Sequence, residues 1–227
     1  MTAWDRFLFT FFNAEVAART WRDVASGVGV SVFAGLAVVV TGIGVGALLA
    51  GLRSFGFRLA NAPILVFVDV FRALPPLAII LVVFFGLPNV GVTLPSLVVL
   101  WLSLSLILAA FAEEVFWAGI TSVPQGQWLA ARSTGLSFLG ALIHVVFPQA
   151  FRLAIPPLTN RTISITKNLA LGSAIGVDEI LGRASSELSL TFNATPLTIG
   201  AACYVLLFIP LIAISRRLER RTSWGGR

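Results

Sequence analysis

Few side chains in this 227-residue sequence are of a type that does chemistry, and their spacing narrows what each can do. The only lysine, Lys167, follows Thr166, so there is no Gly-Lys-Ser/Thr run of the kind that holds nucleotide phosphates. The single histidine, His144, excludes a His-Glu-x-x-His zinc site, and a lone imidazole in a connecting segment reads as surface-packed rather than catalytic. Glu113-Glu114 and Asp178-Glu179 are adjacent in sequence and would point about 100° apart on a helix, so neither pair forms an acid/base dyad. Cys203 has no partner for an intramolecular disulfide, and in its apolar run it reads as an inert packed thiol. The chain is therefore read as non-catalytic.

The elements that must carry these residues are membrane helices. Hydrophobic residues make up 57% of the chain and charged ones only 11%, with a mean hydropathy of +0.94; a soluble domain carries about 25% charged residues. The net charge of +6 sits in short arginine clusters rather than in a stripe, so no nucleic acid partner is expected. Uncharged stretches cover 24–52, 73–112 and 188–215, and a spanning helix needs about 20 mostly apolar residues. The middle stretch holds two spans separated at Gly86-Leu87-Pro88-Asn89, and a more polar candidate follows near 155–181. The expected organisation is one transmembrane domain over 1–227. It has an interfacial segment 1–23, five spans at 24–52, 60–86, 94–113, 157–182 and 196–215, and an inner connecting segment at 114–156.

Arginine placement orients the chain. Arg53 and Arg58, Arg132 and Arg152, and the tail Arg216, Arg217, Arg220, Arg221 and Arg227 gather on alternate connections, which puts the amino end outside and the carboxyl end inside. The first residues do not read as a cleaved secretory signal, because the apolar core Phe7 to Phe12 is too short. Trp4, Phe7, Leu8, Phe11 and Phe12 recur at helical spacing, which suits either an interfacial helix or a terminus packed loosely on the first span. Gly42, Gly46 and Ala50 stand at every fourth position, a spacing that lets helix backbones approach closely in lipid.

An ionisable group at membrane depth is costly and suggests function. Lys167, with Asn168, Ser164 and Thr166, either lines a path or gate between subunits, or snorkels to the inner interface or pairs with Glu114 or Asp69. Asp69 and Arg72, three apart, can partly neutralise one another, which favours a structural pair at the inner end of the second span over a substrate site. The inner segment of about 40 residues is long for a compact bundle. Its apolar content, with Pro124 able to start a helix and Gly135 to end it, predicts short amphipathic helices. With Arg132 as the one basic residue among them, docking to a protein is preferred over docking to lipid.

The run Pro124-Gln125-Gly126-Gln127-Trp128-Leu129-Ala130-Ala131-Arg132-Ser133-Thr134-Gly135-Leu136, followed by Val146-Phe147-Pro148-Gln149-Ala150, resembles the EAA loop of ABC importer permeases. Phe71-Arg72-Ala73-Leu74-Pro75-Pro76-Leu77 is similar to that family's Phe-Arg-Gly-Thr-Pro segment. Glu114 stands where the polar amino acid branch carries a glutamate. Arg152-Leu153-Ala154-Ile155-Pro156-Pro157-Leu158-Thr159-Asn160 and Ile163-Ser164-Ile165-Thr166-Lys167-Asn168 resemble the same branch, and the likeness extends over roughly 61–184.

The resemblance implies an all-α integral membrane fold of the type I importer permease kind, with five transmembrane helices and cytoplasmic coupling helices, in the bacterial cytoplasmic (inner) membrane. It implies an ATP-driven import of polar amino acids. The partners would be a second permease subunit in a homo- or heterodimer, two cytoplasmic ABC ATPase subunits that hold the ATP and Mg, and an extracytoplasmic solute-binding protein. No cofactor is implied on this chain. The ATPase-coupling residues would be Pro124, Gly126, Gln127, Trp128, Leu129, Ala130, Ala131, Gly135 and Leu136, and the substrate path would include Glu114, Ser164, Lys167 and Asn168. Two positions depart from the pattern: Leu129 replaces the first glutamate of the loop, and Trp117 replaces an arginine. The Leu129 departure is either tolerated variation or the mark of one half of a heterodimer. Other readings are a permease for methionine or an inorganic ion, and a secondary transporter, although neither inverted repeats nor several intramembrane carboxylates are present.

Overall fold

A computed structural model describes residues 2–222, with side chains as far as Arg217, so Arg227 and the side chains of Arg220 and Arg221 lie outside the described residues. Among the described residues every element is helical. The order is α1 (Ala3–Phe11), α2 (Ala14–Arg53), α3 (Arg58–Ala73), α4 (Pro76–Gly86), a 3-10 turn (Leu87–Val90) and α5 (Ser96–Ser122). There follow α6 (Gln125–Ser133), α7 (Phe138–Ala141), a π-helical turn (Leu142–Val146) and α8 (Phe147–Lys167). A 3-10 stretch (Asn168–Ile175), α9 (Ile180–Thr191) and α10 (Thr195–Thr222) complete the chain.

Among the described residues four helical runs are long and apolar enough to cross a membrane: Ala3–Arg53, Ser96–Ser122, Phe138–Thr191 and Thr195–Arg217. A fifth arises if Arg58–Ala73 and Pro76–Val90 are one span, bent by 108°. The bend has a local cause. Leu74 precedes Pro75 and is pushed into extended backbone at ψ 139°, so the helix cannot continue through the proline pair.

The helices outrun the uncharged stretches. α2 begins at Ala14, ten residues before the apolar run. α5 passes through Glu113-Glu114 to Ser122, because a helix does not end where a charge appears if that charge finds a partner. The connection between α5 and α8 is correspondingly 123–146. Beyond Lys167 the α-helix tightens into the 3-10 stretch and stops at Gly176, whose φ of 75° is left-handed.

The chain groups into two compact units. One comprises Met1–Val38, Pro76–Leu104 and Thr166–Ile212, and the other Val39–Pro75, Ser105–Ile165 and Ala213–Arg227. In the first, Val24, Ile180 and Ala184 are buried together, with Cys203, Tyr204 and Leu207 against them. The thiol is thus one packed group among several. Gly27 lets α2 approach the start of α9: a Cβ there would lie 2.7 Å from the Glu179 carbonyl carbon.

The second unit has a larger core around Phe116, Ile120, Leu142, Val146, Ala150 and Leu158. The Phe116 ring stacks on Phe147 and Phe151 at 5.7 and 5.9 Å. The small residues of α2 meet α5 here. Ala50 is fully buried, and a Cβ on Gly46 would sit 2.5 Å from that of Ala112. Elsewhere large apolar side chains such as Val40, Val82 and Leu206 stand more than 70% exposed, a surface suited to lipid rather than water.

Candidate functional site

The connection 123–146 folds onto the core of the second unit. Pro124 occupies the N-cap of α6 with φ −56°, a preset angle that starts the helix without a side-chain cap. Gly135 follows the C-cap Thr134 at φ 91°, a conformation that costs a residue with a Cβ, and it reverses the chain toward α7. Ser137 then caps α7, its hydroxyl oxygen accepting from the Gly140 amide at 3.1 Å. His144 is exposed and bonds through Nδ1 to the Gly140 carbonyl at 2.9 Å, as a surface-packed imidazole does.

The nine coupling candidates separate by what they touch. Trp128 stacks on Phe138 at 5.1 Å, Phe138 lies 5.1 Å from Phe55, and Ala131 is buried. These residues hold α6 to its own unit. Pro124 and Gly135 shape its ends. Gly126, Gln127, Leu129, Ala130 and Leu136 are exposed, Leu129 by 68%. The helix therefore has one face pinned and one face bare, and the bare face is apolar at its centre.

The four path candidates divide between the units, Glu114 and Ser164 in the second and Lys167 and Asn168 in the first. Glu114 is ion-paired with Arg72 at 2.9 Å. This corrects the expected Asp69–Arg72 pair: the long arginine reaches across to α5 instead of back along its own helix. Arg72 and Arg161 both lie over the Phe111 ring, at 5.7 and 4.5 Å from its centroid.

Ser164 is exposed and Asn168 half-buried. Lys167 is exposed, with Nζ 5.9 Å from the Phe208 ring centroid. It borders an open cavity of about 420 Å³ whose other walls, Ala170, Tyr204, Val205, Phe208, Ile209 and Ile212, are almost wholly apolar. Among the described residues Lys167 is thus the one charged group on that cavity.

Two buried carboxylates escaped the reading of the sequence. Glu113 is fully buried, and its carboxylate accepts from Arg53 Nη1 at 3.0 and 3.4 Å. The Arg53 guanidinium also lies 4.3 Å from the centre of the Trp117 ring, so the tryptophan serves as its platform. Glu179 is 1% exposed. It caps α9 by accepting from the Leu181 and Gly182 amides at 3.0 and 2.7 Å, and takes a hydrogen bond from the Tyr204 hydroxyl. The available signal was a carboxylate inside or bordering an apolar run, since a buried charge requires partners.

Residues 42–224 match the family described as binding-protein-dependent transport system inner membrane component. The chain is 37% identical over 157 residues, 68% of its length and 72% of the relative's, to a protein of Bacillus subtilis (strain 168) named a probable glutamine ABC transporter permease. It is 34% identical over 174 residues, 72% of its length and 78% of the relative's, to the arginine ABC transporter permease protein of Haemophilus influenzae. A solved structure of an amino acid ABC transporter with histidines superposes with a TM-score of 0.79 at 27% identity, over 88% of this chain and 94% of that one. A methionine ABC transporter in an inward-facing conformation superposes at 0.66 with 21% identity, over 98% of this chain and 100% of that one, a likeness of fold alone. This chain belongs to the binding-protein-dependent transport system inner membrane components, and is a multi-pass protein of that membrane.

Proposed function

We propose that the chain is the permease subunit of an ATP-driven importer of polar amino acids. It is not itself an enzyme: ATP and Mg act on two cytoplasmic ABC ATPase subunits. An extracytoplasmic solute-binding protein delivers substrate to the connections 86–95 and 183–196, and a second permease subunit, identical or related, encloses the path. The amino end lies outside. Arg53, Arg58, Arg132, Arg152, Arg216 and Arg217 support this by gathering on the side that then faces the cytoplasm. The amino acid cargo rests on the relatives named for glutamine and arginine and on the amino acid transporter among the similar folds.

The observation that carries the mechanism is the two-faced helix α6. Trp128 and Ala131 fix it to the core of the second unit, while Gly126, Gln127, Leu129 and Ala130 turn outward. A partner seated on that outer face and displaced on ATP binding moves α6 and whatever α6 is packed against. Leu129 offers the partner apolar contact where the family glutamate would offer an acceptor. Of the path candidates Lys167, exposed on its cavity, is the group suited to a substrate carboxylate. The test is co-purification with the ATPase and reconstitution in lipid nanodiscs. ATP hydrolysis should rise when the solute-binding protein is added with one of a panel of amino acids. Hydrolysis indifferent to every amino acid, but stimulated by another class of solute, would remove the cargo reading.

A further inference from the structure

Every residue of α1 is exposed, and the helix buries none of its side chains in the protein. Its apolar side chains are nonetheless ordered against each other, with Trp4 stacked on Phe7 at 5.6 Å and Phe7 5.2 Å from Phe11. Thr2 and Asp5 form a capping box at its start, so the helix is locally specified without tertiary packing.

A second oddity lies far away in sequence. Phe192 is the one described non-glycine residue at positive φ, 50°, a strained choice for a bulky side chain, and it is 95% exposed. Among the described residues, a phenylalanine turned this far outward gains little packing for its strain.

The two features meet. Asn193 Nδ2 donates to the Phe9 carbonyl at 2.8 Å, and the Asn13 amide donates to Thr195 Oγ1 at 3.0 Å. The Thr195 hydroxyl and amide donate in turn to Asn193 Oδ1 at 2.6 and 3.0 Å. Asn193 and Thr195 are buried, so this clasp is a fixed joint between the end of α1 and the turn into α10.

Depth follows from α10. From Thr195 to Ser215 it carries no charge, a run that at 1.5 Å per residue is roughly as long as the ~30 Å hydrocarbon core is thick. Thr195 therefore marks one edge of the hydrocarbon, and the clasp holds α1 and Phe192 at that edge, continuous with the lipid-facing helices α2 and α10.

We propose that α1 and Phe192 together form a lipid anchor seated at the headgroup–acyl boundary, with Trp4, Phe7, Leu8 and Phe11, which share one face of the helix, and Phe192 as its inserted groups. The occupant is lipid rather than a protein because the surface is aromatic and Asp5 and Arg6 are its only charges, with Asp5 committed to the cap. For the same reason the anchor needs no anionic lipid. It rests on the chain being a membrane protein and is independent of which end faces out or what is carried.

The test labels Phe7→Cys or Phe192→Cys with bimane in a Cys203→Ala chain, co-purified with its ATPase in phosphatidylcholine nanodiscs. Leu206→Cys, on the exposed middle of α10, is the deep control. Lipid carrying a nitroxide on its headgroup should quench the Phe7 and Phe192 positions at least twofold more than lipid labelled deep in the acyl chain, with the order reversed at position 206. Asn193→Ala should lower quenching at position 7 at least twofold and leave position 206 unchanged. Equal quenching at positions 7 and 192 with and without labelled lipid would overturn the proposal. So would a label that lipid does not quench but the solute-binding protein shields.

Discussion

Gly46 tests most sharply how α2 and α5 are held together. A Cβ added there would lie 2.5 Å from Ala112 Cβ, 2.7 Å from the Ala109 carbonyl oxygen and 2.8 Å from the Glu113 amide nitrogen. Ordinary contact begins near 3.4 Å, so the helices must part by about 0.9 Å, since none of the three opposing atoms, two of backbone and one a Cβ, can rotate away. Overpacking of this kind costs about 1–3 kcal/mol. Gly44, one residue pair back on the same helix, has nothing within 4 Å, so Gly44→Ala carries the same gain in helix propensity without the clash. The difference between the two variants isolates packing, and it should reach at least about 1.5 kcal/mol because the clash is with backbone. Gly42→Ala should also be less stable than Gly44→Ala, since its 2.7 Å neighbour is Leu108 Cβ, which no side-chain rotation moves. Unfolding in mixed micelles, followed by helical circular dichroism against the fraction of ionic detergent, measures all three. Equal midpoints for Gly46→Ala and Gly44→Ala would refute the close contact.

Two further outcomes follow. Glu113→Ala should destabilise by about 3–5 kcal/mol in the same unfolding assay, because it strands the Arg53 guanidinium, and the double variant Arg53→Met/Glu113→Leu should recover most of that loss. Lys167→Met should lower uptake in proteoliposomes about tenfold or more while leaving the micelle unfolding midpoint within about 0.5 kcal/mol, since the side chain is exposed; unchanged uptake would remove Lys167 from the path.

Hydropathy located the membrane helices because charge is expensive in lipid wherever it is unpaired, and 24–52 and 196–215 fall inside α2 and α10. It could not place the ends of α5, since Glu113 and Glu114 are neutralised by Arg53 and Arg72, partners 60 and 42 positions away that no local pattern reveals. The Asp69–Arg72 expectation failed for the same reason. The 108° bend was written in Leu74-Pro75-Pro76, but a window that averages apolarity is blind to direction. In the connecting segment Pro124 and Gly135 were legible as helix ends because proline and glycine act locally. The division of α6 into a pinned and a bare face was not, because it depends on Phe138 and Phe55 meeting Trp128 and its neighbours in space. The strained Phe192 and its clasp left no trace in the sequence at all.

Coupling to the ATPase turns on that division of α6. ATP hydrolysis, with and without the loaded solute-binding protein, can be measured for complexes carrying Leu129→Asp or Ala130→Asp in nanodiscs. Both residues are exposed, so the variants should fold and insert normally. Stimulation by the binding protein should fall at least tenfold in each, with the ATPase either lost from the complex or hydrolysing at an unregulated basal rate. Full stimulation in both variants, with uptake intact, would contradict it.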